Sequence, residues 1–210
     1  RGLHPGDPLL TAAVLGLGVA GTAVARALAR RGIDLLLADD RPTDAHRILA
    51  DELGAELVGA DELARRVVSC SLLVPAPGVP PRNSVVATAV AAGVEVVSEI
   101  ELAYRWESER PGGRRPMLAV TGTDGKTTTT HMLAAIVASS GRRVAAVGNT
   151  EVPLVSAPED AEVLVVECSS FRLAFTRDFR PDASAWLNLA PDHLDWHGDL
   201  DRYRACKARM

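Results

Sequence analysis

Lysine is almost absent from this chain. Of its 23 basic residues only Lys126 and Lys207 are lysines, and the remainder are arginines. Arginine is never deprotonated in proteins, and its planar guanidinium cannot replace a compact ammonium group or a reactive amine. We therefore expect the two lysines to stand where only an amine can do the chemistry. The alternative is a coding bias that spared two positions by chance.

Other scarce features limit the class of protein. Cys70, Cys168 and Cys206 lie far apart, without metal or disulfide spacing, which is typical of a reducing cytoplasm. No apolar run is long enough to span a bilayer, and the first residues have no signal-peptide pattern. The formal net charge of -4 offers no electrostatic basis for binding nucleic acid or an anionic membrane. We expect a cytoplasmic monomer that binds neither.

Short apolar strands alternate with helical segments along the chain. The pattern predicts strands at 12–16, 34–39, 56–58, 70–74 and 94–97, with helices over 19–31, 43–53 and 83–92. After the polar run 110–116 it predicts strands at 117–121, 143–147, 162–167 and 184–188, a helix over 126–140 and another that starts near 201. This alternation indicates βαβ units and parallel sheets. We expect an α/β fold in which a Rossmann-like domain (1–112) precedes an incomplete P-loop central domain (113–210).

A glycine loop of the form GxGxxG follows the first strand. Gly16 permits a tight turn, Gly18 lets a pyrophosphate approach the backbone, and Gly21 lets the next helix pack closely. Asp39 ends the second strand, where an acidic residue can bind ribose hydroxyls. The loop predicts a bound nucleoside diphosphate, with NAD as the default. The alternative is a set of packing glycines without a ligand.

A second glycine loop joins the strand 117–121 to a helix. Lys126 can reach the β and γ phosphates of a nucleotide, and Thr127 can bind Mg²⁺. The usual P-loop has a further glycine where this chain has Val120, so the loop is a shortened form. The expected ATP-binding residues are Gly122, Thr123, Asp124, Gly125, Lys126, Thr127 and Thr128.

With its shortened GTxGKT loop, the chain resembles the Mur ligases and the related folylpolyglutamate synthetases. The segment 167–173 (ECSSFRL) is similar to the ExSSFxL motif of the members that add D-glutamate. Asn188 and the segment 192–195 (DHLD) match a second family motif, and 203–207 (YRACK) matches the segment that holds a carbamylated lysine. The resemblance runs from about Leu10 to the last residue.

This resemblance implies an ATP-dependent amide-forming ligase of peptidoglycan synthesis. ATP would phosphorylate the alanine carboxylate of UDP-N-acetylmuramoyl-L-alanine, and the amine of D-glutamate would attack the acyl phosphate. The first loop would then hold UDP and not NAD. The implied UDP-substrate positions are Gly16, Gly18, Val19, Ala20, Asp39, Asp40, Arg41, Gly78, Asn149 and Ser169.

The same resemblance implies a magnesium site and a catalytic set in the second domain. The implied metal ligands are Thr127, Glu167, His193 and a carbamylated Lys207, and the implied catalytic residues are Lys126, His193 and Lys207. Glu167 follows an apolar strand beside the phosphate loop, which suits a Mg²⁺ carboxylate. Only a neutral amine can capture CO₂, so arginine could not replace Lys207.

The chain departs from the family pattern at some positions, and other interpretations of the sequence stay open. Ala20 and Ala76 stand where hydroxyl residues are common in the family, and these 210 residues do not supply the family's third domain, so we expect no turnover from this chain alone. A sibling ligase is a second interpretation, although Phe171 argues against the member that adds the third residue. A nucleotide-binding module without turnover, or an NAD-dependent oxidoreductase, is a third. His193 and His197 have the spacing of a zinc pair but lack a third ligand.

Overall fold

The computed structural model describes residues 11–210, which form two compact units, one ending at Glu99 and one running from Ile100 to Met210. The segment for which we predicted no signal pattern, and the first ten residues of the predicted first domain, lie outside this range. The second unit begins before the polar run at 110–116, because the helix that starts at Glu99 groups with it. The domain boundary at residue 112 therefore stays a prediction.

The first unit is an α/β sandwich around one parallel sheet. Its strands are β1 (Thr11–Leu15), β2 (Asp34–Ala38), β3 (Glu56–Val58), β4 (Leu72–Pro75) and β5 (Glu95–Val96). Its helices are α1 (Val19–Ala29), α2 (Asp44–Leu53), α3 (Ala60–Arg66) and α4 (Ser84–Ala91). The strand order is β3-β2-β1-β4-β5, and every pairing is parallel.

The order of these strands reverses between β1 and β4. In open α/β sheets such a reversal opens a crevice at the carboxyl ends of the strands, where ligands bind. The strands β1 and β4 are almost wholly buried, which explains why they are apolar throughout and do not alternate. The first glycine loop starts at the end of β1 and therefore lies at this crevice.

The second unit contains a second parallel sheet. Its strands are β6 (Met117–Thr121), β7 (Val144–Gly148), β8 (Val163–Glu167) and β9 (Ala183–Trp186). Its helices are α5 (Glu99–Ser108), α6 (Lys126–Ala138), α7 (Ser170–Leu173), α8 (Leu194–His197) and α9 (Leu200–Lys207). The strand order is β7-β8-β6-β9, so β8 and β6 are central. The carboxyl ends of all four strands lie at one edge of the sheet.

A buried carboxylate ties α5 to the rest of the second unit. Glu101 is fully buried and accepts backbone N–H bonds from Arg177, Asp178 and Phe179 at 2.8 to 3.1 Å. The Nε atom of Arg105 lies 2.8 Å from the same carboxylate. These bonds fix the turn that leads into β9, and β9 contributes to the site described below.

The predicted strands and long helices are present, and no predicted end is more than two residues from the observed one. Thr43 precedes α2 as a capping box, with its hydroxyl accepting from the His46 N–H and its own N–H donating to the His46 ring. The last helix starts at Leu200 and ends at Lys207, before the final residue. The helices α3, α5, α7 and α8 were not predicted. Within residues 11–210, no helix is both long and apolar enough to cross a bilayer.

Candidate functional site

The glycine loop of the first unit is shaped by steric limits at two positions. Gly16 has φ of +89°, and a Cβ there would lie 2.7 Å from the Cβ of Ala76. At Gly21 a Cβ would lie 1.8 Å from the carbonyl oxygen of Gly16, so α1 can approach the loop only with glycine there. A Cβ at Gly18 would meet nothing within 4 Å. Gly18 therefore faces open space at the N-terminus of α1, as an approaching phosphate requires.

Asp39 holds this loop to the neighbouring strand. One carboxylate oxygen accepts the Leu17 N–H at 2.7 Å, and the other accepts the Arg41 N–H at 2.9 Å. The sequence predicts a ribose contact for this side chain. The two hydrogen bonds described here are both to backbone N–H groups, so the ribose contact stays a prediction. Asp40, Arg41 and Val19 are exposed next to the loop, and Gly78 lies in the turn that follows β4.

The second glycine loop, residues 122–125, connects β6 to α6 and is called the phosphate loop below. Gly125 has φ of +79° and is the N-cap of α6, so its conformation favours glycine. The first N–H groups of a helix have no partner within the helix and carry its positive dipole end. The N–H groups of Lys126, Thr127 and Thr128 occupy these positions. The start of α6 is thus suited to an anion such as a nucleotide phosphate.

Both lysines of the chain converge on this loop. The Nζ atom of Lys126 donates to the Thr123 carbonyl at 2.7 Å, and the Nζ atom of Lys207 donates to the Gly122 carbonyl at 2.6 Å. Lys207 is 1% exposed and lies over the ring of Tyr203, 4.6 Å from its centroid. Burial, and after it the positive charge of Lys126, lowers the pKa of Lys207 to about 8.

Glu167 ends the central strand β8 next to the loop. Its Oε1 atom accepts from the side-chain amide of Asn149 at 2.9 Å. Its Oε2 atom is buried and has no hydrogen-bond partner among the described residues. A buried carboxylate oxygen without a donor is costly unless a cation neutralises it. The site therefore fits a divalent cation at Glu167.

Aromatic rings join the segment around Ser170 to the segment around His193. The ring of Phe171 lies 4.6 Å from that of His193 and stacks on His197 at 5.6 Å, between centroids. His197 is buried and its Nε2 atom lies 2.9 Å from the Ser170 hydroxyl. Tyr203, in contact with His197, places its hydroxyl 3.1 Å from that of Thr123.

Two family models match the chain in the order of its two units. The Mur ligase MurD-like N-terminal domain matches residues 11–98, and the Mur ligase middle domain matches residues 120–210. The chain belongs to the Mur ligase family.

Three curated relatives carry the name UDP-N-acetylmuramoylalanine–D-glutamate ligase. The protein from Thermobifida fusca is 44% identical over 94% of this chain and 43% of its own length. The protein from Frankia casuarinae is 46% identical over 93% of this chain and 41% of its own length. The protein from Mycobacterium avium is 42% identical over 99% of this chain and 42% of its own length. The chain spans less than half the length of these relatives.

Solved structures of Mur ligases share the fold. The UDP-N-acetylmuramate:L-alanyl-gamma-D-glutamyl-meso-diaminopimelate ligase from Neisseria meningitides aligns with a TM-score of 0.56 at 19% identity, covering 96% of this chain and 67% of that one. The UDP-N-acetylmuramate-alanine ligase from Thermotoga maritima aligns with a TM-score of 0.52 at 22% identity, covering 95% of this chain and 46% of that one. This likeness confirms the predicted α/β architecture.

The edge of the second sheet gathers much of the set implied for a Mur ligase. Lys126 and Lys207 meet at the loop. Glu167 ends β8, Ser169 follows β8, and Asn149 follows the adjacent strand β7. His193 is half exposed, is the N-cap of α8 with φ of 50°, and contacts Asp192. No three His, Cys, Asp or Glu side chains within residues 11–210 form a group that could hold a metal. The full set of Thr127, Glu167, His193 and Lys207 as metal ligands thus stays a prediction.

The sequence places Asn188, Tyr203 and Ser170 within family motifs but assigns them no role, and it offers His197 only as half of a zinc pair. Tyr203 stands four residues before Lys207 on α9, a spacing that places two side chains on one helix face. The sequence alone could therefore have indicated that Tyr203 lies next to Lys207. The contacts of Asn188 and of the His197–Ser170 pair depend on tertiary packing, and no spacing in the sequence indicates them.

Proposed function

We propose that this chain supplies the UDP-sugar-binding and ATP-binding parts of a cytoplasmic ligase that joins D-glutamate to UDP-N-acetylmuramoyl-L-alanine. The relatives with this activity in their names are 40 to 46% identical to the chain. The observation that carries the proposal is the convergence of both lysine amines on two consecutive carbonyls of the phosphate loop, beside Glu167.

The reaction consists of two transfers. An oxygen of the alanine carboxylate attacks the γ-phosphorus of ATP, ADP leaves, and an acyl phosphate forms. The amine of D-glutamate then attacks the acyl carbon, inorganic phosphate leaves, and the nitrogen loses a proton to give the amide. Such phosphoryl transfer is catalysed by positioning and by neutralising charge on the phosphate oxygens.

The start of α6 and Lys126 bind the phosphates in this proposal. The N–H groups at the helix start face the phosphate chain, and the Lys126 amine exchanges the Thr123 carbonyl for a phosphate oxygen. The ammonium group then neutralises charge that develops on the transferred group. Thr123, Asp124 and Gly122 shape the loop, and Thr128 lies at its helical end.

Magnesium would be held by Glu167 together with Thr127, His193 and carbamylated Lys207. When bound, the cation polarises the phosphate oxygens and neutralises their charge. The free Oε2 atom of Glu167 supports this assignment, since Asn149 occupies only the other oxygen. We expect Glu167→Gln to weaken ATP binding in the presence of Mg²⁺ and to leave its binding in EDTA unchanged.

The environment of Lys207 supports its carbamylation. A pKa near 8 instead of 10.5 raises the neutral fraction of the amine about 300-fold near pH 7. The neutral amine is the form that adds to CO₂, and the product is an anion that can bind a cation. With ¹³C-labelled bicarbonate, a carbamate signal is expected in the NMR spectrum, and it should disappear in Lys207→Arg.

The first unit binds the UDP part of the substrate in this proposal. The crevice between β1 and β4 presents Gly18 without an obstructing side chain, and Asp40, Arg41 and Val19 are exposed beside it. Gly78 and Ala20 lie near the same crevice. Asn149 and Ser169 belong to the second unit, where they act next to the reacting carboxylate.

Two substitutions test the two sites separately. Lys126→Met removes the phosphate-binding ammonium, and Gly18→Leu fills the space that a pyrophosphate needs without a clash in the free protein. Ligand binding is measured by thermal stabilisation, which is about 2.7 kcal/mol at a ligand concentration of 100 times Kd. We expect Lys126→Met to be stabilised by UDP-N-acetylmuramoyl-L-alanine but not by Mg²⁺–ATP. We expect Gly18→Leu to be stabilised by Mg²⁺–ATP but not by UDP-N-acetylmuramoyl-L-alanine.

Each variant is the matched control for the other. If either variant were stabilised by neither ligand, misfolding would be indicated. The milder substitutions Lys126→Gln and Gly18→Ala would then be used. Stabilisation of the wild-type chain by NAD⁺, with none by UDP or the UDP-sugar, would overturn the assignment of the first unit. Absence of any effect of Mg²⁺–ATP would overturn that of the second.

A further inference from the structure

Asn188 makes more contacts with the phosphate loop than any assigned role explains. It follows β9, the strand that pairs with β6, so it lies next to the loop at the same sheet edge. Its Oδ1 atom lies 2.9 Å from the Thr123 nitrogen and 3.0 Å from the Asp124 nitrogen. Its Nδ2 atom lies 3.2 Å from the Asp124 carbonyl. One side chain therefore binds both ends of the Asp124 residue.

The chemistry of these partners fixes the orientation of the amide. Two backbone N–H donors converge on one atom of Asn188, so that atom must be the carbonyl oxygen, which has two lone pairs. The other atom faces a carbonyl and must be the nitrogen. Neither aspartate nor leucine, the nearest in shape, can make all three bonds.

The loop is closely packed at Gly122, next to the exposed side chain of Asn188. A Cβ at Gly122 would lie 3.1 Å from the Leu187 side chain and 3.4 Å from Asn188 Oδ1. The carbonyl groups of Gly122 and Thr123 are bound by the two lysines, and the Thr123 hydroxyl is bound by the Ala190 backbone. Apart from Lys126, the residues that hold the short loop come much later in the chain.

The contacts also decide which donors face a ligand. The N–H groups of Thr123 and Asp124 point at Asn188 and are not available to a phosphate. The remaining donors are those from Gly125 to Thr128, at the start of α6. We propose that Asn188 is a positioning residue that fixes the phosphate loop so that the N-terminus of α6 presents its N–H groups to the phosphates. This inference rests on the proposed binding of nucleotide phosphates by the loop.

The test uses the 210-residue chain with two ligands, Mg²⁺–ATP and inorganic tripolyphosphate. Asn188→Leu removes all three bonds at similar volume, and Ser184→Ala on the exposed strand β9 is the matched control. If the loop of the Asn188→Leu variant adopts its binding conformation only about a tenth of the time, the apparent Kd of that variant rises about 10-fold. We expect that rise for both ligands in Asn188→Leu, and none in Ser184→Ala.

A second measurement separates positioning from general stability. Amide hydrogen exchange of Asp124 should accelerate in Asn188→Leu, while that of Thr130 inside α6 and the melting temperature should stay as in the wild type. The Thr123 N–H is less informative, because it also donates to the backbone carbonyl of Asn188 at 3.3 Å, which the variant keeps. An unchanged Kd in Asn188→Leu, or exchange at Asp124 as slow as in the wild type, would overturn the inference. If the wild-type chain binds neither ligand, the proposed function of the loop fails, and the exchange rates alone still decide whether Asn188 holds it.

Discussion

Acidification should destabilise the second unit through His197. This histidine is 5% exposed, its Nε2 atom is 2.9 Å from the Ser170 hydroxyl, and its ring stacks on Phe171. Burial lowers its pKa from 6.5 to about 4, and the positive charges of His193 and Lys207 act in the same direction. The negative charge of Asp195 opposes them. The folded protein therefore keeps this ring neutral at pH values where an unfolded chain protonates it.

The sign and size of the effect follow from proton linkage. Above pH 6.5 the ring is neutral in both states, and the stability is complete. Between pH 6.5 and about 4 the unfolded chain binds the additional proton, so stability is lost as the pH falls through this window. At 1.36 kcal/mol per pKa unit, the loss at pH 4.5 is about 2.5 kcal/mol.

Tryptophan fluorescence in urea is the suitable assay. Trp106, Trp186 and Trp196 all belong to the second unit, so their emission reports its unfolding alone. Wild type is compared with His197→Gln, whose amide reaches the position of Nε2, and with His131→Gln, an exposed histidine, as the control. Between pH 7 and 4.5 the wild type and the control should lose about 2 to 3 kcal/mol more stability than His197→Gln. Equal losses in all three proteins would refute the reasoning.

Two further predictions concern folding. Gly21→Ala should prevent the first unit from folding, because its Cβ would lie 1.8 Å from the Gly16 carbonyl oxygen. Gly18→Ala is the control: its Cβ meets nothing within 4 Å, so it should cost about 1 kcal/mol or less in a thermal melt. A folded Gly21→Ala protein of wild-type stability would contradict this. Glu101→Gln should cost about 2 to 4 kcal/mol in urea unfolding, since it places an amide NH₂ group against the buried N–H groups and Arg105 that the carboxylate now binds. A cost below about 1 kcal/mol would contradict it.

Periodicity predicted the long elements because burial on a sheet or a helix face enforces it. The strand β8 is buried at all five residues and is apolar until Glu167 ends it. The helices α7 and α8 have four residues each, about one turn, so no apolar repeat can develop. The helix α3 buries only Leu63 within its length. Short elements of this kind are set by the packing around them, and a pattern search therefore misses them.

The site divides in the same way between what spacing can predict and what packing decides. The sequence predicts that residues after β6, β8 and β9 share one edge of the sheet, because parallel strands align their carboxyl ends. It also predicts that the loop N–H groups face phosphate, but the N–H groups of Thr123 and Asp124 donate to Asn188 instead. Which backbone donor remains available depends on a side chain 64 residues away from Asp124. The free oxygen of Glu167 has the same origin, since Asn149 occupies one oxygen and leaves the other, and only the folded arrangement distinguishes the two. A P-loop motif therefore predicts where in the chain a phosphate would bind, while contacts from the neighbouring strands decide which backbone donors stay free for it.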